Sequence, residues 1–279
     1  MTSIVSIFNS VFTSLFGVLY GALSWLGPFW SLVGISFLGG ILMVWIFGKV
    51  SNQDAIKKTR SRMGAELIAL RLFKDDLRVF FRIQFQILIW TLRYMRQSIV
   101  PMIILMVPVV MILIQLNLHY AMRPLGVGEQ TLVNVTLRDA VSLTQGSGIV
   151  LQAGSGIEIE TAGVRIPQTR EISWRVRGTT PGDIELVVKV GEESVTKEML
   201  VGAREEGVSS LRTGGHWLDN LLYPGEAPIP KKSAIESIEI LYPDLDVSIF
   251  GWGIDWLILF FVLSMVFGFS FKGVLGVQI

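Results

Sequence analysis

The chain has no cysteine. That single absence removes disulfides, thiolate metal sites and cysteine nucleophiles together, so every folded part must be held by its core alone. Histidine is almost missing as well. His119 and His216 are the only two, and their separation along the chain argues against a histidine-based metal cluster. No charged residue precedes Lys49, so the start lacks the basic n-region of a signal peptide. There is also no P-loop, no HExxH and no nucleophile elbow. The residues therefore offer no covalent and no nucleotide-driven route, and the chain reads as a non-enzyme with no cofactor and no metal.

What is abundant is apolar sequence. Of 279 residues, 51% are hydrophobic, and the mean hydropathy is +0.56. That is high for a soluble protein and expected for one with several membrane spans. Apolar runs lie at Phe29–Gly48, which is uncharged, at about 99–120 and at about 249–271. The charges between them are sorted by sign. Residues 49–97 hold 11 Lys/Arg against 4 Asp/Glu, and residues 121–250 hold 12 against 18. Basic residues near spans are retained on the cytoplasmic side, so 49–98 reads as cytoplasmic and 121–248 as exterior to a cell (inner or plasma) membrane.

Residues 2–26 carry Ser3, Ser6, Ser10, Ser14, Gly17, Gly21 and Ser24 at helical spacing, giving one mildly polar face. Gly27-Pro28 breaks that helix. It lies in the exterior interface or, alternatively, crosses the membrane. Phe29–Gly48 is long enough for one crossing, with Trp30 and Trp45 suited to the two interfaces. The turn Ser51-Asn52-Gln53-Asp54 then offers an N-cap, and Lys57, Lys58, Arg60 and Arg62 follow as a basic cluster. Residues 71–97 read as one amphipathic helix, because at 100° per residue Arg71, Arg78, Arg82, Arg93 and Arg96 share an arc of about 60°. Either it hugs a membrane rich in anionic lipid, or it forms a helical hairpin that touches other proteins.

The second run, 99–120, contains Pro101 and Pro108 and then Gln115, Asn117 and His119. Prolines in a span are tolerated where neighbours or water satisfy the freed carbonyls. The polar trio lines a wet cavity or simply lies near the interface. Beyond it the period changes to two, in 131–137, 157–160, 171–177 and 184–190, with glycine-rich turns between, as in a small β-sandwich. The GSGI pair at 146 and 154 reads as turn glycines rather than a phosphate loop. Asn134-Val135-Thr136 matches a glycosylation sequon, which short chains carry by chance as easily as by use. Residues 204–248 read as a connector with a short helix around His216–Leu222 and a strand at Ser237–Leu241. The last run carries Asp255 and Ser264. An acid inside a span is costly, and it suggests either a functional site or an exterior pairing with Arg123 or His119.

Three stretches carry a resemblance to a known family. They are Lys49-Val50-Ser51-Asn52-Gln53 through Met63, Tyr94-Met95-Arg96-Gln97-Ser98-Ile99-Val100-Pro101 with Pro108, and Gly251-Trp252 through Lys272-Gly273-Val274-Leu275-Gly276-Val277. Their order resembles the YidC/Oxa membrane protein insertase superfamily, especially its minimal three-span archaeal members and the related subunit of the ER membrane protein complex. The first span lacks the arginine of bacterial members, and an exterior β domain stands inserted between the second and third spans.

The resemblance implies three spans, an N-terminal interfacial helix, a cytoplasmic helical hairpin and an inserted exterior all-β sandwich-like domain. It implies a polar groove that passes short polar flanks of clients through the membrane without nucleotide hydrolysis. Ser36, Gln115, Asn117 and Ser264 would line that groove, with Lys49, Lys57, Lys58, Arg60 and Arg62 at its cytoplasmic mouth. The implied partners are nascent or small membrane-protein clients, anionic lipids, and a ribosome or translocon, with an unknown protein on the β domain and no DNA. The rival reading is an envelope scaffold or complex subunit that binds a partner through the β domain, with the spans as anchors. A weaker third reading is a transporter or channel subunit using Asp255.

Overall fold

The structure, a computed structural model, describes residues 2–72, 76–138, 148–202, 207–214, 217–245, 247–249 and 252–277. His216, Gly146, Ser147 and Gly251, singled out above, lie outside the described residues.

Four helices come first. α1 is Thr2–Ser24, and Gly27 in a left-handed conformation (φ 85°) ends it. Pro28 then takes the first position of α2, Pro28–Val50, where a missing N–H costs nothing. The polar turn does supply a cap. Asn52 Oδ1 accepts the Ala55 N–H at 3.0 Å and starts α3, Gln53–Leu72. Asp76 does the same for α4, Leu77–Tyr120, accepting from Arg78 and Val79 at 3.0 and 3.2 Å.

This second cap corrects the single-helix reading of 71–97. The chain is divided before Leu77, so Arg71 belongs to the last turn of α3 and not to the arginine arc of α4. Conversely, no break separates the amphipathic stretch from the apolar run at 99. No capping or turn residue intervenes, and α4 continues for 44 residues through Pro101 and Pro108. α2 and α4 are the two described helices long and apolar enough to cross a membrane.

The β-rich part follows. Its strands are β1 Gln130–Leu137, β2 Ile149–Ala153, β3 Ile157–Ile159, β4 Val164–Ile166, β5 Glu171–Gly178, β6 Gly182–Val190, β7 Glu193–Val201 and β8 Leu211–Thr213. After the short helix α5, Trp217–Leu222, comes β9, Ile235–Ile240. One antiparallel sheet has the order β3-β5-β1-β9-β8, with β4 also on β5, and a second has the order β2-β6-β7. The alternation read from the sequence sets the faces. Val133, Val135, Ile172, Trp174 and Val176 from the first sheet share one core with Leu151, Leu186, Val188 and Met199 from the second. Val133 stands opposite Trp174 in the β1–β5 register. At roughly 1.5–3 kcal/mol per buried large side chain, such a core can hold a domain without disulfides. Gly156 is obligatory in the β2–β3 turn. Its φ is 112°, and a Cβ there would sit 2.2 Å from Thr180 Oγ1.

The last apolar run is not one helix. It begins as a hairpin of β10, Val247–Ile249, and β11, Trp252–Ile254, and only then becomes α6, Trp256–Phe271. β-branched Val247, Ile249 and Ile254 favour the strands, and the helix starts after Asp255. Asp255 is therefore exposed just ahead of a 16-residue helix rather than within it. The chain divides into two compact units, Met1–Pro28 with Ile114–Trp256, and Phe29–Leu113 with Leu257–Ile279.

Candidate functional site

The groove candidates fall into both units. In the unit of α2, α3 and α6, Ser36 and Ser264 are buried at 0% and 7% exposure. Ser36 Oγ donates to the Leu32 carbonyl at 2.7 Å, a bond within its own helix. Ser264 Oγ has no hydrogen-bond partner among the described residues. Its backbone lies where α2 and α6 approach closely, since a Cβ on Gly40 would stand 2.5 Å from the Ser264 carbonyl oxygen. The glycine permits that close approach of the two backbones.

Gln115 and Asn117 belong to the other unit and point differently, as a two-residue step on a helix turns about 200°. Asn117 is exposed and Gln115 is 1% exposed. Gln115 Nε2 donates to Thr13 Oγ1 on α1 at 2.9 Å, while its Oε1 is buried with no hydrogen-bond partner among the described residues. His119 joins the same cluster. Its Nδ1 lies 2.8 Å from the Gln115 carbonyl oxygen, and its ring packs on Tyr20 at 4.4 Å and Phe16 at 5.6 Å. An unsatisfied buried amide oxygen costs about 1–3 kcal/mol, which marks this turn of α4 as unusual.

The residues expected at the cytoplasmic mouth are exposed. Lys49 ends α2, and Lys57, Lys58, Arg60 and Arg62 stand on α3. Arg62 and Arg93 both lie over the ring of Trp90, at 4.9 and 4.6 Å from its centre. Arg123 is committed to Glu129, with Nη1 and Nη2 at 2.8 and 2.9 Å from the two carboxylate oxygens. That grip, helped by the Gly126 N–H, holds the Glu129 carboxyl down at about 2.

The sequence reading missed the most buried charge. Lys197 on β7 is 0% exposed, and its Nζ donates to the Ser209 carbonyl at 2.6 Å and to the Glu226 carboxylate. Burial pushes the ammonium's pKa down and the Glu226 charge partly restores it. One signal was available: Val195, Lys197, Met199 and Val201 alternate onto a single inward face. Beside this pair a cleft of about 470 Å³ is lined by Thr13 and His119 and by Asp183, Glu198 and Glu226. A second of about 570 Å³ shares those three acids and adds Glu185 and Arg212. Among the described residues no group of three His, Asp or Glu is placed to hold a metal ion.

No family model matches the chain, and no curated protein matches it. Among solved structures, an S-layer protein is similar over 30% of this chain and 12% of its own, at 17% identity and a TM-score of 0.24.

Proposed function

We propose that this is a membrane-embedded insertase or chaperone of the YidC/Oxa kind, which eases short polar flanks of client proteins across the bilayer without fuel. The observation that carries the reading is a buried polar atom in each unit, Gln115 Oε1 on α4 and Ser264 Oγ on α6, that has no hydrogen-bond partner among the described residues. Both need water or a polar guest, and a client's polar flank would offer one. Moving such a flank through bare hydrocarbon is expensive, and polar surfaces in the path lower that barrier.

The length of α6 supports the same reading. Sixteen residues span about 24 Å, against a hydrocarbon core of about 30 Å. A short span thins the surrounding bilayer, which shortens a client's path. In this reading α2, α4 and α6 cross a cell membrane, α3 and the start of α4 lie in the cytoplasm, and the β-sandwich lies outside. The exposed lysines and arginines of α3 would meet acidic client flanks or anionic headgroups.

The test is photocrosslinking from Gln115 and Lys57 to a single-span membrane protein stalled on ribosomes. Client adducts from both positions are expected. Adducts to lipid or to one stable partner alone would sink the insertase reading. A second reading, a scaffold that binds a partner through the β domain, is favoured by the acidic clefts around Asp183, Glu198 and Glu226. Depletion separates the two, because only loss of an insertase leaves small membrane proteins uninserted.

A further inference from the structure

α4 carries an apolar seam that no described residue of its own unit covers. In the stretch before the apolar run, its exposed large hydrophobic residues are Leu77, Phe81, Phe85, Leu88, Leu92 and Met95. From Phe81 onward these recur at alternating steps of four and three. The alternation then runs on through Ile99, Met102 and Met106. With Phe85 as position a, every a and d from Phe81 to Met106 is apolar and between 47% and 67% exposed. That is more than three heptads of a coiled-coil seam.

Before residue 99 the other faces of the helix are consistent with this seam, and beyond it Val100, Ile103, Ile104 and Val107 are exposed as well. Ile83, Trp90 and Gln97 fall at f, opposite it. Ile83 and Trp90 are buried, Arg62 of α3 covers Trp90, and Thr59 of α3 reaches Gln97 at 3.4 Å. α3 therefore packs on the back of α4 and leaves the a/d face free. Pro101 and Pro108 both fall at c, off the seam.

We propose that the seam is the contact between two copies of this chain, paired in parallel through α4. The inference rests on the reading that α2 and α4 cross a membrane. α4 is about 66 Å long, roughly twice the hydrocarbon thickness, so its first half stands clear of the bilayer. Lipid can cover Ile99, Met102 and Met106 but not Phe81 to Met95. A soluble partner can cover the second set but not the first. A helix that itself crosses the boundary in the same register covers both, and a second α4 does so residue for residue.

Shared topology forces the parallel arrangement, and the flanking charges permit it. The g-to-e′ neighbours are Leu77 with Arg82, Gln84 with Ile89, and Thr91 with Arg96, so no like charges meet. Arg78 takes the a position before Phe81, and repulsion there ends the seam. About half of each seam side chain is exposed, so two copies would bury on the order of 1,600 Å², the size of a standard stable interface.

The absence of native cysteine makes the test clean. Leu88→Cys and Met95→Cys place thiols at d, and Gln86→Cys places one at b as a control. Full-length variants are oxidised in native membranes after alkaline extraction shows whether the chain is embedded. A covalent homodimer from both d positions and its loss at Gln86→Cys are expected, because disulfides need Cα atoms within about 7 Å. Adding Leu92→Arg to Met95→Cys should abolish the band. Release of the chain by alkali would overturn the spanning reading beneath the inference. Retention without a d-specific dimer, or with a d-specific bond to a different protein, would overturn the pairing alone.

Discussion

The ammonium of Lys197 and the carboxylate of Glu226 form an ion pair inside the β domain, with side chains 0% and 10% exposed. The pair joins β7 to the loop before β9, and the Ser209 carbonyl completes the ammonium's shell. Desolvating both charges costs several kcal/mol, so the pair is a weak source of net stability. Breaking it is another matter.

Glu226→Gln should destabilise the domain by about 3–5 kcal/mol, because it strands a buried ammonium. The penalty should shrink as pH rises toward the ordinary lysine value of 10.5, since a deprotonated Lys197 no longer needs the charge. Lys197→Met combined with Glu226→Leu should recover most of the loss. Urea unfolding followed by tryptophan fluorescence reads all three. A Glu226→Gln protein as stable as wild type would show that the pair carries no such role.

Arg123 and Glu129 make the opposite kind of pair, with side chains 41% and 36% exposed. The Glu129 carboxyl falls from 4.5 to about 2 on folding. Its contribution is therefore complete above pH 4.5 and is lost as pH drops toward 2. Solvent screening limits it to under about 1 kcal/mol. Acid titration of stability should be correspondingly shallower in Glu129→Gln than in wild type, and identical slopes would contradict the assignment.

Much of this architecture was legible in the residues, and its failures have physical causes. Alternation placed β1, β5 and β6 because one face of each strand is buried, so period two is strict there. β7 was passed over because Lys197 occupies an inward position and breaks the apolar pattern. The division between α3 and α4 was hidden because the arginine arc continues across it, while the local cap, Asp76, is one acid among several. The last run looked like a full span because β-branched hairpin residues and helix residues are equally apolar. Ser36, Ser264 and Gln115 stood out as polar residues in apolar runs. Sequence could not separate inward Gln115 from outward Asn117, because that depends on which face α1 covers.

Gly40 and Gly64 should answer to alanine in opposite ways. A Cβ at Gly40 would stand 2.5 Å from the Ser264 carbonyl oxygen, and one at Gly64 meets nothing within 4 Å. Gly40→Ala must push α2 from α6 and should cost about 1–3 kcal/mol, as overpacking does. Gly64→Ala lies in the interior of α3 and should gain up to about 1 kcal/mol from helix propensity. Thermal unfolding in detergent distinguishes them, and equal shifts would mean that α2 and α6 are not closely packed.

Gln115→Leu separates fold from function most sharply. The glutamine gives one hydrogen bond, to Thr13, and leaves its buried Oε1 unmatched. Leucine removes an orphan worth about 1–3 kcal/mol against one bond worth about 1 kcal/mol. The variant should therefore unfold at the same or a higher temperature than wild type. A protein that keeps a costly polar atom in an apolar helix gains something else from it, and under the insertase reading that gain is a place for a client's polar flank. Client insertion by Gln115→Leu should fall while stability holds. If both stay at wild-type levels, the polar atom serves no client and the groove assignment fails at this residue. If stability falls instead, the Thr13 bond is structural, and Gln115 belongs to the packing of α1 on α4.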